Sequence, residues 1–306
     1  MNKKNNNNVL VIGGSGFLGS HVSDNLTNRG YSVTIYDLVK SKYLKKNQKM
    51  IIGDIKNRNK IDKAIAGSSY VFHFGGVADI AESMNDPVST VENNILATSY
   101  ILDSCVKHKT RKFIFASTIY VYSELGSFYR CSKQACEILI ENYSKELGLE
   151  YNILRYGSLY GHRANKFNFI NQVITQALKD GKITRKGDGN EIRDYIHVLD
   201  ASEASVNIFE SELSNSHLMI KGTRSIKVRV LLNMLKEMFN NSIDIEYLPG
   251  TSYKGHYELT PYSFKPKIAK KYTLREYHDL GQGLLECIYH IYDSLKDQKL
   301  KVRLDK

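Results

Sequence analysis

Two side chains that can move a proton, Tyr129 and Lys133, lie four positions apart, and Thr118 ends a predicted strand shortly before them. On a helix this spacing places the phenol and the ammonium one turn apart on the same face. The ammonium favours the phenolate form of the tyrosine, which can then accept the proton of an alcohol. The threonine hydroxyl can align that alcohol with the phenol. These residues predict oxidation of an alcohol, with a hydride leaving the carbon that carries the hydroxyl.

The spacing of this pair is not specific by itself, because the chain contains it again beside the second predicted strand and in the carboxy-terminal helix. Only Tyr129 follows the fifth predicted strand, at whose carboxyl end a doubly wound sheet binds its ligands. The position in the chain therefore favours Tyr129 and Lys133 as the reactive pair. An ordinary pair of helix side chains is the alternative.

A glycine-rich turn after the first predicted strand is a candidate binding site for the hydride acceptor, because such a turn suits a dinucleotide. The strand Val9–Gly13 runs directly into glycines spaced three apart. The first permits a sharp exit from the strand, the second lets the backbone approach phosphate oxygens, and the third lets the next helix lie close to the sheet. A plain turn is the alternative. We expect the pyrophosphate of the cofactor to lie against Gly13, Gly16, Phe17, Leu18 and Gly19.

An acidic residue, Asp37, ends the second predicted strand, Ser32–Tyr36. It follows the last glycine by about 20 residues, the interval at which a carboxylate binds the adenosine ribose. A carboxylate accepts hydrogen bonds from a free 2′-hydroxyl and repels a 2′-phosphate, so NAD is favoured over NADP. Lys40 and Lys42 are nearby positive charges that act in the opposite direction.

The elements that position these residues alternate between short apolar runs and amphipathic helices, a pattern typical of βαβ units. We predict an α/β protein with a Rossmann-type doubly wound parallel sheet and a smaller α+β substrate lobe. The NAD-binding domain spans 1–156 with a return segment at about 189–212, and the substrate lobe spans 157–188 and 213–306. The predicted strands are Val9–Gly13, Ser32–Tyr36, Met50–Ile52, Tyr70–Phe74, Lys112–Ser117 and Tyr151–Arg155.

Composition excludes several classes of protein. The 306 residues carry a formal charge of +11, which favours anionic partners, but no nucleic-acid motif is present. No run of about 20 apolar residues predicts a membrane span, and the polar amino terminus does not resemble a signal peptide. The four cysteines lack paired spacing, so we expect reduced packing thiols, no metal site and a cytoplasmic location.

Together these motifs resemble the extended short-chain dehydrogenase/reductase family, in particular its NAD-dependent nucleotide-sugar epimerases and dehydratases. The resemblance implies catalytic roles for Thr118, Tyr129 and Lys133, with Lys133 also contacting the nicotinamide ribose. It implies adenine contacts for Asp54 and Ile55. It further implies cofactor contacts for Phe74 and Gly75. The segments that carry it, besides the glycine turn, are Gly53-Asp54-Ile55, His73-Phe74-Gly75-Gly76 and Ser117-Thr118-Ile119-Tyr120-Val121-Tyr122.

The resemblance continues into the predicted substrate lobe through 154–161 and 187–198. It implies that Arg193 binds the substrate pyrophosphate, which suits a bidentate guanidinium. Ser158 and Lys254 occupy positions where the family usually has an asparagine and a second arginine. Asn168 either bonds a substrate phosphate or caps the following helix.

Several further departures from the family limit what the resemblance implies. Tyr129 follows Thr118 by only 11 positions, about half the usual interval, so the loop that normally helps to wall the sugar site is short. Ile119 and Tyr120 stand where dehydratases have acidic residues, which argues against dehydration. Glycines also replace the usual alanines at positions 75 and 76.

The predicted function is that of a nucleotide-sugar 4-epimerase or 4-dehydrogenase, which oxidises the C4 hydroxyl with NAD and serves polysaccharide biosynthesis. The alternatives are a reductase of a nucleotide-linked 4-keto sugar and a non-catalytic dinucleotide-binding sensor. The predicted helices Asn94–Lys107 and Cys131–Leu147 are candidates for a homodimer interface. Their apolar faces can instead be used entirely against the sheet.

Overall fold

The computed structural model describes residues 7–123, 125–250 and 269–296. The chain divides into two compact units. The first comprises the described residues of Met1–Tyr156, Ala201–Ile220 and Pro261–Thr273, and the second those of Gly157–Asp200, Lys221–Thr260 and Leu274–Lys306. The return segment of the first unit thus starts at Ala201, whereas the sequence places it at about 189. Whether the two predicted domains fold as separate units stays a prediction.

Strands alternate with helices along most of the chain, as the sequence pattern indicates. The strands are β1 (Asn8–Ile12), β2 (Ser32–Asp37), β3 (Lys49–Ile52), β4 (Tyr70–His73), β5 (Lys112–Thr118), β6 (Tyr151–Tyr156), β7 (Ser158–Tyr160), β8 (Lys182–Lys186), β9 (Ile192–His197), β10 (Ser216–Ile220), β11 (Ser225–Lys227), β12 (Asp244–Leu248) and β13 (Lys270–Lys271). All six predicted strands are present, and no strand end differs from its predicted position by more than one residue.

The helices are α1 (Phe17–Asn28), α2 (Arg58–Ile65), α3 (Ile80–Asn85), α4 (Pro87–Thr90), α5 (Ala97–Lys107), α6 (Ser127–Leu147), α7 (Phe169–Asp180), α8 (Val198–Glu210), α9 (Val228–Met238) and α10 (Leu280–Lys296). A π-helical segment, Val91–Leu96, leads into α5, and a 3₁₀ turn, Ile119–Tyr122, follows β5. Across the described ranges, no helix combines the length and apolar character that crossing a bilayer requires.

The first unit is built on an eight-stranded sheet in the order β13-β10-β6-β5-β4-β1-β2-β3, in which every neighbouring pair is parallel. The chain leaves β1 toward β2 and β3 and then returns to β4 on the other side of β1. The sheet therefore reverses its winding direction between β1 and β4, the point at which doubly wound sheets bind ligands. The predicted fold class is confirmed.

Helices cover both faces of this sheet, which explains why its strands are apolar almost throughout. On one face α2, α5 and α6 contribute Ile61, Ile101 and Ile140 to a core shared with β1, β4, β5 and β6. On the other face, the Phe209 ring of α8 packs edge-on against Phe72 of β4. The sheet is therefore enclosed on both faces.

The turn between β1 and α1 is packed backbone against backbone. Gly13 has a left-handed φ of +79°, and a Cβ on it would lie 2.5 Å from the backbone nitrogen of Gly75. A Cβ on Gly19 would lie 2.2 Å from the carbonyl oxygen of Gly13. Side chains have no room at either position, so α1 can approach β1 this closely only with glycine there.

A buried ion pair ties α6 to the sheet. Arg155 of β6 donates from Nε and Nη2 to the two carboxylate oxygens of Glu137, at 3.0 and 2.6 Å. The side chains of Arg155 and Glu137 are only 1% and 6% exposed. Ser117 of β5 donates to Glu137 at 2.5 Å, while Arg155 also donates to the Tyr122 hydroxyl and to Nδ1 of His217, each at 2.8 Å. Strand and helix are thus joined by a satisfied polar network.

The second unit contains two small sheets. One is ordered β11-β9-β7, and the other pairs β12 with β8 in parallel. The β9 strand runs antiparallel to β11 and parallel to β7. An apolar core fills the unit with residues of α7, α9 and α10, including Ile174, Leu232 and Leu284. This mixed architecture agrees with the α+β character predicted for the smaller lobe.

Replacing Gly19 with alanine should destabilise the protein by about 2 kcal/mol, because the new methyl group overlaps the Gly13 carbonyl. Alanine otherwise favours a helix by up to about 1 kcal/mol over glycine. The control is Gly281→Ala in α10, where a Cβ would meet only the Asp279 side chain, at 3.0 Å, and Met238, at 3.7 Å. Urea unfolding measures both variants. An unchanged midpoint for Gly19→Ala would contradict the close packing.

Replacing Glu137 with glutamine should destabilise the fold by about 3 kcal/mol, since it leaves the Arg155 charge buried without its partner. Asp62→Asn is the control, because it removes an exposed pair in which Lys107 donates at 2.8 Å, and its unfolding midpoint should hardly move.

The same network predicts a dependence on pH. Burial raises the pKa of Glu137, but hydrogen bonds from His217, Arg155 and Ser117 outweigh it and hold that pKa below its usual value. The stabilisation is therefore present above the ordinary glutamate pKa of about 4.3 and is lost as pH falls through the lowered folded-state value. Unfolding curves should show the difference between wild type and Glu137→Gln shrinking over that range. A constant difference would show that the glutamate charge contributes nothing.

Candidate active site

The structure brings the three predicted catalytic side chains to the carboxyl end of β5. Thr118 is the last residue of β5, and Tyr129 lies in the first turn of α6. Lys133 follows one turn later on the same helix. Its ammonium donates to the Ala116 carbonyl of β5 at 2.8 Å and lies 6.0 Å from the centre of the Tyr129 ring. The helix and the strand thus present all three groups together.

Hydrogen bonds orient the threonine between two tyrosines. Its hydroxyl accepts the backbone N–H of Tyr120 at 3.2 Å. A hydrogen bond also joins the side chains of Thr118 and Tyr129. Thr118 is buried, so these contacts restrict its rotamer. The arrangement places a hydroxyl beside the phenol, as proton transfer from an alcohol requires.

Burial controls the charge of this group. It raises the pKa of Tyr129 to about 12, although the hydrogen bond from Thr118 acts in the opposite direction. Burial also lowers the pKa of Lys133, while Cys136 and Glu137 oppose that shift. In the chain alone the phenol is therefore protonated at neutral pH. Lys133 by itself does not bring the phenol toward neutrality, so a second positive charge is needed for the tyrosine to act as a base.

The short interval between Thr118 and Tyr129 is bridged by a compact turn. The 3₁₀ turn follows β5 directly, and Arg130 then donates to the Ser123 carbonyl at 2.6 Å. Gly126 has a φ of +103°, and a Cβ there would meet Arg130 and the Tyr120 ring, each at 2.9 Å. The glycine therefore lets α6 begin within eleven residues of the strand.

Tyr120 and Ile119 occupy the positions next to the threonine. The Tyr120 ring stands edge-on to the Tyr129 ring, with centres 6.5 Å apart. Ile119 is buried. Neither side chain carries a carboxylic acid, so the acidic pair expected of a dehydratase is not found at these two positions.

The glycine turn has the properties that a pyrophosphate requires. Gly16 is exposed and extended, and it precedes α1, whose first turn contains Phe17 and Leu18. The first N–H groups of a helix have no partner within it and carry its positive dipole end. A Cβ on Gly16 would lie 3.2 Å from the Gly13 carbonyl. The turn thus offers an open backbone cradle, and these residues fit the diphosphate of NAD.

Asp37 lies beside that cradle at the end of β2. Its carboxylate accepts the N–H of Ser15 at 2.9 Å and that of Val39 at 3.3 Å. A carboxylate has about four acceptor sites, so two backbone bonds leave capacity for the hydroxyls of a ribose. The position fits the predicted ribose contact.

The remaining predicted cofactor residues lie at neighbouring strand ends. Asp54 follows β3, and its carboxylate accepts the Lys56 N–H at 2.8 Å. Ile55 is buried in the core. Phe74 follows β4, where its ring stacks on Phe72 with centres 6.1 Å apart. Gly75 lies against Gly13, with its Cβ position 3.7 Å from the Gly13 nitrogen. All belong to the first unit.

One residue that shapes this edge was missed in the sequence. Asn94 of the π-helical segment accepts the Val77 N–H at 2.7 Å and donates to the Val77 carbonyl at 2.9 Å. It also donates to the hydroxyl of Ser132 on α6 at 2.8 Å. A Cβ on Gly76 would lie 2.4 Å from its side-chain oxygen. This contact explains the glycine at a position where the family usually has alanine. The only indication in the sequence was that Asn94 is a polar residue within an apolar helix pattern.

The predicted substrate residues lie in the second unit. Ser158 is in β7, and Arg193 is a buried residue of β9 that donates to the Ile192 carbonyl at 3.1 Å. Asn168 caps α7 by accepting the Asn171 N–H at 3.3 Å, and it donates to the Leu159 carbonyl at 2.7 Å. The capping interpretation of Asn168 is thus present in the structure, and its contact with substrate stays a prediction. Lys254 lies outside the described residues.

Comparisons with known proteins agree with this geometry. Residues 9–220 match the family model described as the NAD dependent epimerase/dehydratase family. A UDP-N-acetyl-alpha-D-glucosaminuronate decarboxylase of Bacillus cytotoxicus is 28% identical over 91% of this chain and 96% of that protein. A UDP-glucose 4-epimerase of Rhizobium meliloti is 28% identical over 79% of this chain and 85% of that protein.

A solved structure shows the same fold. The UDP-glucose 4-epimerase of Thermotoga maritima, solved with UDP-glucose, superposes with a TM-score of 0.81 at 26% identity and covers 94% of this chain and 99% of its own. The match to the family model spans well over half of the 306 residues. The resemblance read from the motifs and the expected cofactor, NAD, are both confirmed. The chain belongs to the NAD-dependent epimerase/dehydratase family of enzymes.

Proposed function

We propose that the protein is a nucleotide-sugar 4-epimerase that oxidises the C4 hydroxyl of its substrate and then returns the hydride to the opposite face. The observation that carries this proposal is the group formed by Thr118, Tyr129 and Lys133 at the carboxyl end of β5. NAD, when bound, accepts the hydride and supplies a positive charge. Tyr129 takes the hydroxyl proton as a phenolate and gives it back at the end of the cycle.

The other two residues prepare the tyrosine for this step. The Thr118 hydroxyl, already bonded to the phenol, holds the sugar hydroxyl in line with it. Lys133 places an ammonium one turn away from the phenol and is proposed to contact the nicotinamide ribose. Its bond to the Ala116 carbonyl keeps the ammonium next to the strand. Catalysis in this scheme depends on charge that is held in place before the reaction.

The remaining site residues have proposed binding roles. Gly13, Gly16, Phe17, Leu18 and Gly19 hold the pyrophosphate of NAD. The adenosine is held by Asp37 at the ribose and by Asp54 and Ile55 at the adenine. Phe74 and Gly75, which follow β4, also contact the cofactor. In the second unit Arg193 binds the substrate pyrophosphate, as a bidentate guanidinium does. Ser158, Asn168 and Lys254 complete the proposed substrate contacts.

Two outcomes of the same first step are further candidates. Release of the keto sugar would make the enzyme a 4-dehydrogenase, and the reverse step would make it a reductase. The relative from Bacillus cytotoxicus favours another candidate, decarboxylation of a uronic acid, because it matches over 91% of this chain. A 4-keto uronate is a β-keto acid, so oxidation at C4 also prepares the loss of carbon dioxide. A non-catalytic sensor has no use for the proton-transfer group.

A panel of nucleotide sugars tests the proposal directly. The purified protein is incubated with stoichiometric NAD and UDP-, dTDP-, GDP- and CDP-sugars, including uronates, and the products are identified by NMR while absorbance follows the reduced cofactor. A C4-inverted sugar without lasting NADH supports the epimerase. Accumulating NADH with a keto product, or a pentose with released carbon dioxide, would replace it by the corresponding alternative.

Replacing Tyr129 with phenylalanine should lower kcat by at least about 100-fold, because the general base is lost while its ring remains. Binding of NAD should stay nearly unchanged, which isothermal titration calorimetry measures. The control is Tyr143→Phe on the same helix, since that phenol bonds Asp103 at the surface. Full turnover by Tyr129→Phe would reject the mechanism.

We also propose that the protein forms a homodimer through α6 and the helical run that precedes β5. Ile138 and Leu147 of α6 are 55% and 56% exposed, and Leu96 at the end of the π-helical segment is 42% exposed. Exposed apolar side chains of this size on neighbouring helices are typical of an interface. Both helices also pack on the sheet through their other faces, so the outer faces are available to a second copy.

Replacing Ile138 with glutamate should convert the dimer to a monomer, because it buries a charge in the proposed interface. Sedimentation velocity measures the oligomeric state. The control is Val230→Glu on α9, which replaces another exposed apolar side chain, 44% exposed. A monomeric wild type, or a dimer that survives Ile138→Glu, would remove this interface from consideration.

A further inference from the structure

Histidines are concentrated in one part of the second unit. Four of the nine histidines in the chain lie there with neighbouring rings. The centres of the His197 and His278 rings are 4.8 Å apart. His162 lies 6.0 Å from His197 and 5.3 Å from His290. None of these side chains has a role in the proposed hydride transfer.

Two carboxylates join this group. Asp200 accepts from His278 twice, from ring nitrogen Nδ1 at 2.5 Å and from the backbone N–H at 3.1 Å. Glu286 also lies near the histidines, with Oε2 4.0 Å from Nε2 of His197 and 3.8 Å from Nε2 of His162. Two carboxylates therefore belong to this group of imidazoles.

Three of these residues place possible donor atoms close to one another. One ligand atom from each of His197, Asp200 and His278 lies within 4.8 Å of the other two. His197 and Asp200 are buried, at 1% and 4% exposure, while His278 is exposed. The group is thus held firmly by the fold and is open to solvent at one edge, as a site that takes up an ion must be.

We propose that His197, Asp200 and His278 bind a divalent transition-metal ion, with Zn²⁺ as the best match. Imidazole nitrogen with one carboxylate oxygen is a donor set that suits Zn²⁺, whereas Mg²⁺ and Ca²⁺ prefer oxygen ligands alone. Three protein ligands leave a fourth position for water.

The ligands come from segments that are far apart in the chain. His197 ends β9 and Asp200 lies in the first turn of α8, whereas His278 precedes α10 by two residues. An ion that binds all three closes a loop of about 80 residues and holds the start of α10 against the end of β9. The ion therefore stabilises the second unit, since binding free energy at such a site adds to folding free energy.

The site differs from a histidine–carboxylate contact of similar length in the first unit. His108 lies 3.0 Å from the Asp62 carboxylate in the first unit, and Lys107 occupies the other oxygen of that carboxylate at 2.8 Å. At Asp62 the Lys107 ammonium supplies the positive charge. The contacts described for this carboxylate include one imidazole, that of His108. His108 is thus a matched control for a histidine that bonds a carboxylate without forming a metal site.

The test uses the full chain without a histidine tag, stripped with EDTA and dialysed. Titration calorimetry with ZnCl₂ should show one ion per chain, and the thermal midpoint should rise by about 5 °C at saturating Zn²⁺. MgCl₂ should change neither. Co²⁺ should give the visible d–d absorption of a site with nitrogen ligands, which Zn²⁺ then displaces. Absence of saturable Zn²⁺ binding, or of the Co²⁺ spectrum, would overturn the proposal.

Variants assign the ligands. His278→Gln should weaken Zn²⁺ binding at least about tenfold and remove the rise in thermal midpoint, whereas His108→Gln and His290→Gln should bind as the wild type does. Circular dichroism checks that each variant is folded, and Asp200→Asn provides a second ligand variant. Wild-type affinity in both ligand variants, or equal loss in His290→Gln, would show that the ion binds elsewhere.

Discussion

The buried ion pair between Glu137 and Arg155 is the contact on which the arrangement of the proposed catalytic residues depends. Glu137 lies one turn after Lys133 on α6, and it accepts a hydrogen bond from Ser117, the neighbour of Thr118. A shift of this helix would therefore move the ammonium relative to the threonine. Two charges inside a protein are stable only when their geometry is nearly fully satisfied, so the pair permits few alternative positions of α6.

A second constraint acts on the cofactor side of the same sheet edge. The Gly13 and Gly75 backbones approach so closely that a Cβ on Gly13 would lie 2.5 Å from the Gly75 nitrogen. The ends of β1 and β4 are thereby held together where the sheet reverses direction, while β5 carries Thr118 next to β4. The glycine turn after β1 and Thr118 at the end of β5 are thus separated by a single strand, β4, and the sheet sets the spacing between them.

Local patterns were enough to predict much of this arrangement. The glycine spacing predicted a sharp turn after the first strand with a helix close behind it, and α1 follows that turn at Phe17–Asn28. Contacts between distant segments were not readable in the same way. The strands β10 and β13 extend the sheet beyond β6, yet β10 has only five residues and β13 is the pair Lys270–Lys271, too short to show a period. Two other contacts could not be predicted from local patterns, because folding brings their residues together from separate elements: Asn94 with Gly76, and Glu137 with Arg155.

Because Tyr129 is buried, its strength as a base depends on the charges placed beside its phenol. The enclosure that orients Tyr129 also raises the pKa of its phenol to about 12, and it lowers the pKa of the Lys133 ammonium that should oppose this. At neutral pH the chain alone therefore keeps the phenol protonated. A further positive charge beside the phenol favours the phenolate, and an oxidised nicotinamide carries such a charge. In the proposed mechanism, proton abstraction is thereby confined to the state in which a hydride acceptor is present, so that an alcohol is not deprotonated without the means to oxidise it.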